Sequence, residues 1–175
     1  MRTYKKRRYY EIVKYDPEFR NDQGHYMKDE WTSISDVGKI YDGKLFTIEE
    51  YEHIENLYIQ AVFLILEFFH TRSIKITHIY KSKNSRARTS KEKKLIACMD
   101  MFATGDVIRV NNKELITNLI KLRLREHAPE LEVIVDRKSR SELVFGYDYY
   151  MYLKTNIDVS SVLEEIDTFG LFTSI

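Results

Sequence analysis

Thr47-Ile48-Glu49-Glu50-Tyr51-Glu52-His53-Ile54-Glu55-Asn56-Leu57-Tyr58-Ile59-Gln60-Ala61-Val62-Phe63-Leu64-Ile65-Leu66-Glu67-Phe68-Phe69-His70 is the stretch on which the fold turns. Thr47 and Glu50 stand at capping-box spacing: the threonine hydroxyl can accept from the third amide in, and the Glu50 carboxylate can reach back. Glu49 suits the positive end of the helix dipole. Tyr51, Ile54, Tyr58, Ala61, Ile65 and Phe68 keep helical spacing, and the apolar arc then widens over almost the whole circumference. The spacing predicts a helix from about Ile48 to His70, buried on most sides through its second half. The apolar run Leu57 to Phe69 is broken by Gln60 and Glu67 and is shorter than the roughly 20 residues of a bilayer span. It reads as a core helix, not an anchor.

Outward from this helix, the chain alternates between strand and helix signals. Tyr9–Tyr15 suits a strand, and Asp16–Lys28 is a polar surface loop. Gly38 and the Asp42-Gly43 pair mark turns on either side of Ile40-Tyr41. Ile74–Tyr80 reads as a strand with Ile74, Ile76, His78 and Tyr80 on one face; Lys81–Lys94 reads as a mobile basic loop. A short helix over Glu92–Ala103, a strand at Val107–Val110 and a helix over Lys113–Glu126 follow. Asn112 can cap the last of these, Lys121 and Arg125 turn outward, and Pro129 closes it. Leu131–Asp136 and Glu142–Leu153 are strands joined by the charged turn Arg137–Ser141. In the second, Leu143, Phe145, Tyr147, Tyr149, Met151 and Leu153 form a core face, and Val144, Asp148, Tyr150 and Tyr152 a wetter one. A final helix, about Ser161–Phe169, stops at Gly170. The expected fold is α+β: a mostly antiparallel sheet packed on a long, largely buried helix (about 48–70) and two or three shorter helices. At 175 residues this is the size of one domain, spanning 1–175.

Net charge is +1, which calls for neither nucleic acid nor an anionic membrane. Its distribution is uneven. Glu11 to Glu67 holds 13 acidic and 5 basic residues, residues 2–8 hold five basic ones, and residues 72–94 hold nine against Glu92 alone. Such runs are often only solvated surface, but one half could face a cationic partner and the other an anionic one. Tyrosine, at 13 residues against one tryptophan, suits half-buried sheet faces and binding surfaces alike. A single cysteine, Cys98, permits no internal disulfide, so a cytoplasmic location is expected. Its apolar surroundings make it a small buried side chain and not a nucleophile. The basic N-terminus is followed by no apolar signal core.

Chemistry is sparse. His25, His53, His70, His78 and His127 stand in no metal-site spacing, and there is no P-loop, dinucleotide fingerprint or serine elbow. No cofactor or metal is expected. One pattern points to catalysis: Asp136-Arg137-Lys138 follows an apolar strand, and Asp106 opens another about thirty residues earlier. Metal-dependent nucleases of acid-x-lysine type hold a divalent ion between two carboxylates while the lysine stabilises phosphate charge. Asp106, Asp136 and Lys138 could serve so, yet the triplet also lies where a hairpin turn is expected. A third reading, a nucleic-acid-binding module, rests on the basic 72–94 stretch.

Two segments carry a resemblance. Lys14-Tyr15-Asp16-Pro17-Glu18-Phe19-Arg20, running on to Lys28-Asp29-Glu30-Trp31-Thr32-Ser33-Ile34-Ser35-Asp36-Val37-Gly38-Lys39, is the first; Phe145-Gly146-Tyr147-Asp148-Tyr149-Tyr150-Met151-Tyr152 is the second. Together they resemble small bacterial immunity proteins of contact-dependent growth inhibition and polymorphic-toxin systems. The resemblance implies a non-enzymatic cytoplasmic protein that binds a cognate toxin domain, commonly a nuclease and in some cases an RNase, as a heterodimer. Carboxylates and rings offered to a cationic nuclease cleft compete by charge steering and by burial of a few anchors. Asp16, Glu18, Asp22, Asp29, Glu30 and Asp36, with Trp31 and Tyr26 nearby, have those ingredients. So does the wetter strand face with Asp148, Tyr150 and Tyr152. Trp31 has a plain reading as a core residue too.

Overall fold

Strand residues that alternate between buried and half-exposed, and helices with one apolar side, can close a core by laying the helices on one face of a sheet. The computed structural model describes residues 7–175 in that arrangement, and the basic segment 2–8 lies mostly outside the described residues. Strands β1 (Arg8–Val13), β4 (Ser73–Tyr80), β5 (Val107–Arg109), β6 (Glu130–Asp136), β7 (Ser141–Phe145), β8 (Met151–Thr155) and β9 (Phe172–Ser174) form one sheet in the order β5-β4-β6-β7-β8-β1-β9. Every pairing in it is antiparallel. Strands β2 (Ile40–Tyr41) and β3 (Lys44–Leu45) make a separate hairpin. The α+β architecture expected from sequence is the one observed.

The long helix, α1, runs Ile48–Phe68, and both halves of its capping box are made. Ala61, Ile65 and Leu66 are essentially inaccessible in its second half. They join the inward sheet residues Ile12, Ile76, Leu143, Met151 and Leu153 in one apolar cluster. Helix α3 (Lys113–Leu124) is capped by Asn112, whose side chain accepts from the Leu115 amide, and packs on α1. Helix α4 (Ser160–Asp167) packs on both α1 and β9. Among the described residues no helix is long and apolar enough to cross a membrane.

Several expectations are corrected. Glu142–Leu153 is two strands, not one: the chain reverses through Gly146–Tyr150, where Asp148 and Tyr149 take positive φ. Tyr147, expected in the core, is therefore 69% exposed. A β-bulge between Ile76 and His78 shifts the register of β4, so His78 and Tyr80 face outward and Ile79 turns toward the core. The Lys81–Lys94 segment is not wholly a loop. Thr89 caps helix α2 (Ser90–Ala97), and the Arg88 guanidinium donates to the Ile34 carbonyl at 2.8 Å. Glu92, in its first turn, is buried 3.3 Å from His127 Nε2. Arg125 turns inward: its guanidinium donates to both carboxylate oxygens of Glu55, at 2.6 and 2.7 Å. Strand β9 follows a residue after Gly170 and was not anticipated.

Candidate functional site

Part of the acidic stretch, within residues 28–54, lines a groove of about 560 Å³ that opens between three elements. One wall is the segment Lys28–Trp31. A second is the β2–β3 hairpin, and the third is the first two turns of α1, with Glu49, Glu50 and His53. The hairpin turns tightly at Asp42-Gly43, with φ of 50° and 75°. Positive φ at both central residues is the signature of the turn that matches strand twist, and it favours glycine at the second. Phe46, which follows the hairpin, is pinned by backbone bonds to Gly38 and Lys39.

The floor is aromatic. Trp31 is 8% exposed, stacks on Phe46 at 4.4 Å and meets Tyr149 edge-on at 5.0 Å. Lys14 lies behind it, its amine 4.1 Å from the Trp31 ring and 4.2 Å from the Tyr15 ring. That amine donates to Glu30 Oε1 at 2.6 Å, and the Tyr26 hydroxyl donates to Glu30 Oε2 at 2.7 Å. Burial brings the Lys14 pKa down to about 8, against the opposing pull of Glu30. Burial also raises the Tyr26 phenol, with Glu30 adding to the rise. Glu30 is thus fixed on both oxygens and holds this wall in place.

The groove carries five carboxylates, Asp29, Glu30, Asp42, Glu49 and Glu50, against Lys28 and Lys44. Glu50 accepts from the Thr47 amide at 2.9 Å, and Asp42 lies 3.6 Å from the Lys28 amine. Among the described residues Asp29 and Glu49 have neither an ion pair nor a hydrogen bond through their side chains. Beside them the hairpin sets Ile40 opposite Leu45, at 67% and 57% exposure. Unpaired negative charge next to exposed apolar side chains is a surface able to take a cationic, partly apolar partner.

Of the residues expected to bind a partner, Asp29, Glu30 and Trp31 lie in this groove. Trp31 forms its floor and not a protruding anchor. Asp36 is withdrawn altogether: it is buried, accepts from the Thr32 and Ser33 amides at 2.8 and 3.1 Å, and takes the Lys39 amine at 2.6 Å. Asp16 accepts from the Glu18 amide and so caps the turn Pro17–Phe19, while Glu18 and Asp22 are exposed on the same loop. Asp148 is exposed on the β7–β8 turn; Tyr150 and Tyr152 are half-buried and stacked at 6.3 Å. Because that segment is a turn, these three do not form the single strand face expected of them. Arg20 links the two regions, donating to Glu11 at 3.0 Å and to the Tyr150 hydroxyl at 3.3 Å.

The two segments that carry the resemblance therefore meet: Trp31 touches Tyr149, and Tyr15 lies 5.5 Å from Tyr150. Gly146 stands at their junction, where a Cβ would fit tightly, 3.3 Å from the Tyr150 carbonyl and 3.2 Å from the Tyr152 ring. Sequence reasoning missed Asp42, Lys44, Leu45 and Lys14. For the first three a signal was present, since Asp-Gly between two apolar-containing pairs is a hairpin motif.

The acid-x-lysine pattern is not assembled. Strand β4 lies between β5, which Asp106 immediately precedes, and β6, which ends at Asp136. Asp106 accepts from the Ala103 amide at 2.6 Å, and Asp136 accepts from the Lys138 amide and the Ser139 amide and hydroxyl. Both carboxylates are spent in turns, and among the described residues no three histidine, cysteine, aspartate or glutamate side chains gather as a metal site. Compared with models of known families, with curated proteins and with solved structures, the chain matches none.

Proposed function

We propose that this chain is an immunity protein: a cytoplasmic inhibitor that binds a toxin domain delivered by neighbouring bacteria and turns over no substrate of its own. The observation that carries the reading is the acidic groove with Asp29 and Glu49 unpaired and Ile40 and Leu45 exposed at its side. A toxin that cuts nucleic acid needs a cationic cleft to hold phosphates, and this groove offers the opposite charge in concave form. The junction of the two resembling segments at Trp31 and Tyr149 supports the same reading. So does the rigidity of the wall: Glu30, held by Lys14 and Tyr26, spares the complex the cost of ordering it.

The test is co-purification and titration calorimetry with the toxic domain encoded immediately upstream. Tight binding with loss of toxin activity is expected. The double charge reversal Asp29→Lys with Glu49→Lys should weaken that binding about 10- to 100-fold, mostly through slower association, and flatten its salt dependence. The thermal midpoint should fall by no more than a few degrees: among the described residues neither carboxylate has a side-chain partner, and only Glu49, in the first turn of α1, loses a favourable place at the helix dipole. A toxin that neither binds nor loses activity removes the proposal. Undiminished binding by the double variant removes the groove from it.

A further inference from the structure

At the opposite end of the sheet the charge reverses. The register brings Ser73 opposite Arg109, Lys75 opposite Ile134, Asp136 opposite Ser141 and Arg8 opposite Thr155, so six strands share this end. A cavity of about 500 Å³ there is lined by Arg7, Lys75, Ile134, Arg137, Arg140 and Glu142. It shares Arg7 with a neighbouring concavity of about 820 Å³, walled in part by Arg8, Tyr9 and Asp158. The two make one trough in which cations outnumber carboxylates. Glu142 is already engaged, 3.5 Å from Arg7 Nη1 and accepting from the Thr77 hydroxyl at 3.3 Å. Asp136, next to Arg137, is held by its own turn. Among the described residues Lys75 and Arg137 have neither an ion pair nor a side-chain hydrogen bond.

We infer that this trough is a second binding surface, one that takes the sugar–phosphate backbone of a single-stranded nucleic acid. Guanidinium and ammonium groups spaced along a concave path suit successive phosphates. Tyr9, at the far end, is 56% exposed with the Lys154 amine 5.4 Å from its ring, which leaves ring surface on which a base can stack. An acidic peptide fits less well. The exposed Tyr9 ring beside the cations offers a base a stacking face that an acidic side chain cannot use. The surface lies apart from the acidic groove, and its use stands independently of toxin binding.

Fluorescence anisotropy of labelled 20-nucleotide U-tract RNA and T-tract DNA, titrated with the full chain between 25 and 200 mM salt, tests this. Binding of either strand is expected, with log K falling against log salt at a slope of about −3, as for four phosphates neutralised. Lys75→Gln with Arg137→Gln should cut affinity at 50 mM salt about tenfold or more and shallow the slope by about 1.4. Tyr9→Ala should weaken binding at least fivefold without changing the slope. Circular dichroism melts establish that the variants are folded. The inference is overturned by any of three results: no binding at 25 mM salt, affinity unchanged in the folded Lys75/Arg137 variant, or duplex held as tightly as single strand with Tyr9 dispensable. Retention of an acidic protein without retention of nucleic acid overturns it as well. Toxin capture by the same variants should be unaffected, so failure here and failure of the immunity reading are separately visible.

Discussion

Lys14 shows how a single residue sets the groove. Its amine lies between two rings and an anion, where cation–π attraction and the ion pair to Glu30 offset part of the cost of burial. With the folded pKa lowered to about 8 and the unfolded one near 10.5, the unfolded chain binds this proton more tightly between those values. Stability from this group therefore rises with pH across the window from about 8 to 10.5 and is flat below it. Urea unfolding of the native chain and of Lys14→Met at pH 7.5 and pH 10 checks the sign. The native chain should gain relative to the variant by on the order of 2 kcal/mol. An opposite change would mean that Lys14 is not buried as described. Nothing in the local sequence announces this contact, because Lys14 and Glu30 are sixteen residues apart and polar. Asp36 was misread for a related reason: a carboxylate that caps a turn looks, in sequence, like one offered to solvent.

Elements were readable where period and capping agree, and misread where a local irregularity leaves the period unbroken. The capping box and stripe of α1 placed its first residue correctly. The β7–β8 reversal was invisible because Phe145 and Met151 pair directly across it. Six positions separate them, an even number, so the in–out alternation runs through the turn without a phase slip. The bulge in β4 does the converse, changing phase with no marker residue. Arg125 was assigned to solvent because it lies off the apolar stripe of α3. It caps the end of that helix and reaches Glu55 on α1, with Lys121 3.5 Å from the same carboxylate. Glu55 is fully buried, so Glu55→Ala should leave the Arg125 guanidinium buried with only Glu52, 3.5 Å away, as a counter-charge and cost about 3 kcal/mol. The pair Glu55→Met with Arg125→Met should recover most of that loss in chemical denaturation, since it leaves only Lys121, which can reach water. No recovery would mean that the pair is needed for packing geometry and not merely for charge balance.

At the scale of the whole molecule, the sheet separates two kinds of charge. The acidic groove is built from the segments between β1 and α1, and the basic trough lies at the strand ends that include the start of β1. The sequence already carried this polarity as an acidic first third and basic runs elsewhere. It did not show which runs would converge, because Arg7, Lys75 and Arg137 are brought together only by strand order. That order has a further consequence. Strand β1 lies between β8 and β9, so the first strand among the described residues is clasped by the last two. Removal of residues 171–175 should leave β1 on an open edge and lower the thermal midpoint by several degrees, about the effect of 1 kcal/mol or more in a domain of this size. During synthesis the strands β4 to β7 can pair as they emerge, while β1 waits for partners in β8 that lie 139 to 147 positions downstream. Ribosome-bound chains stalled near residue 150 should accordingly be cut by protease between β1 and α1, where the finished protein resists. The acidic groove, tied to β1 through Lys14, thus takes shape only after β8 has left the ribosome, and whatever it holds cannot be held by a copy cut short of that strand.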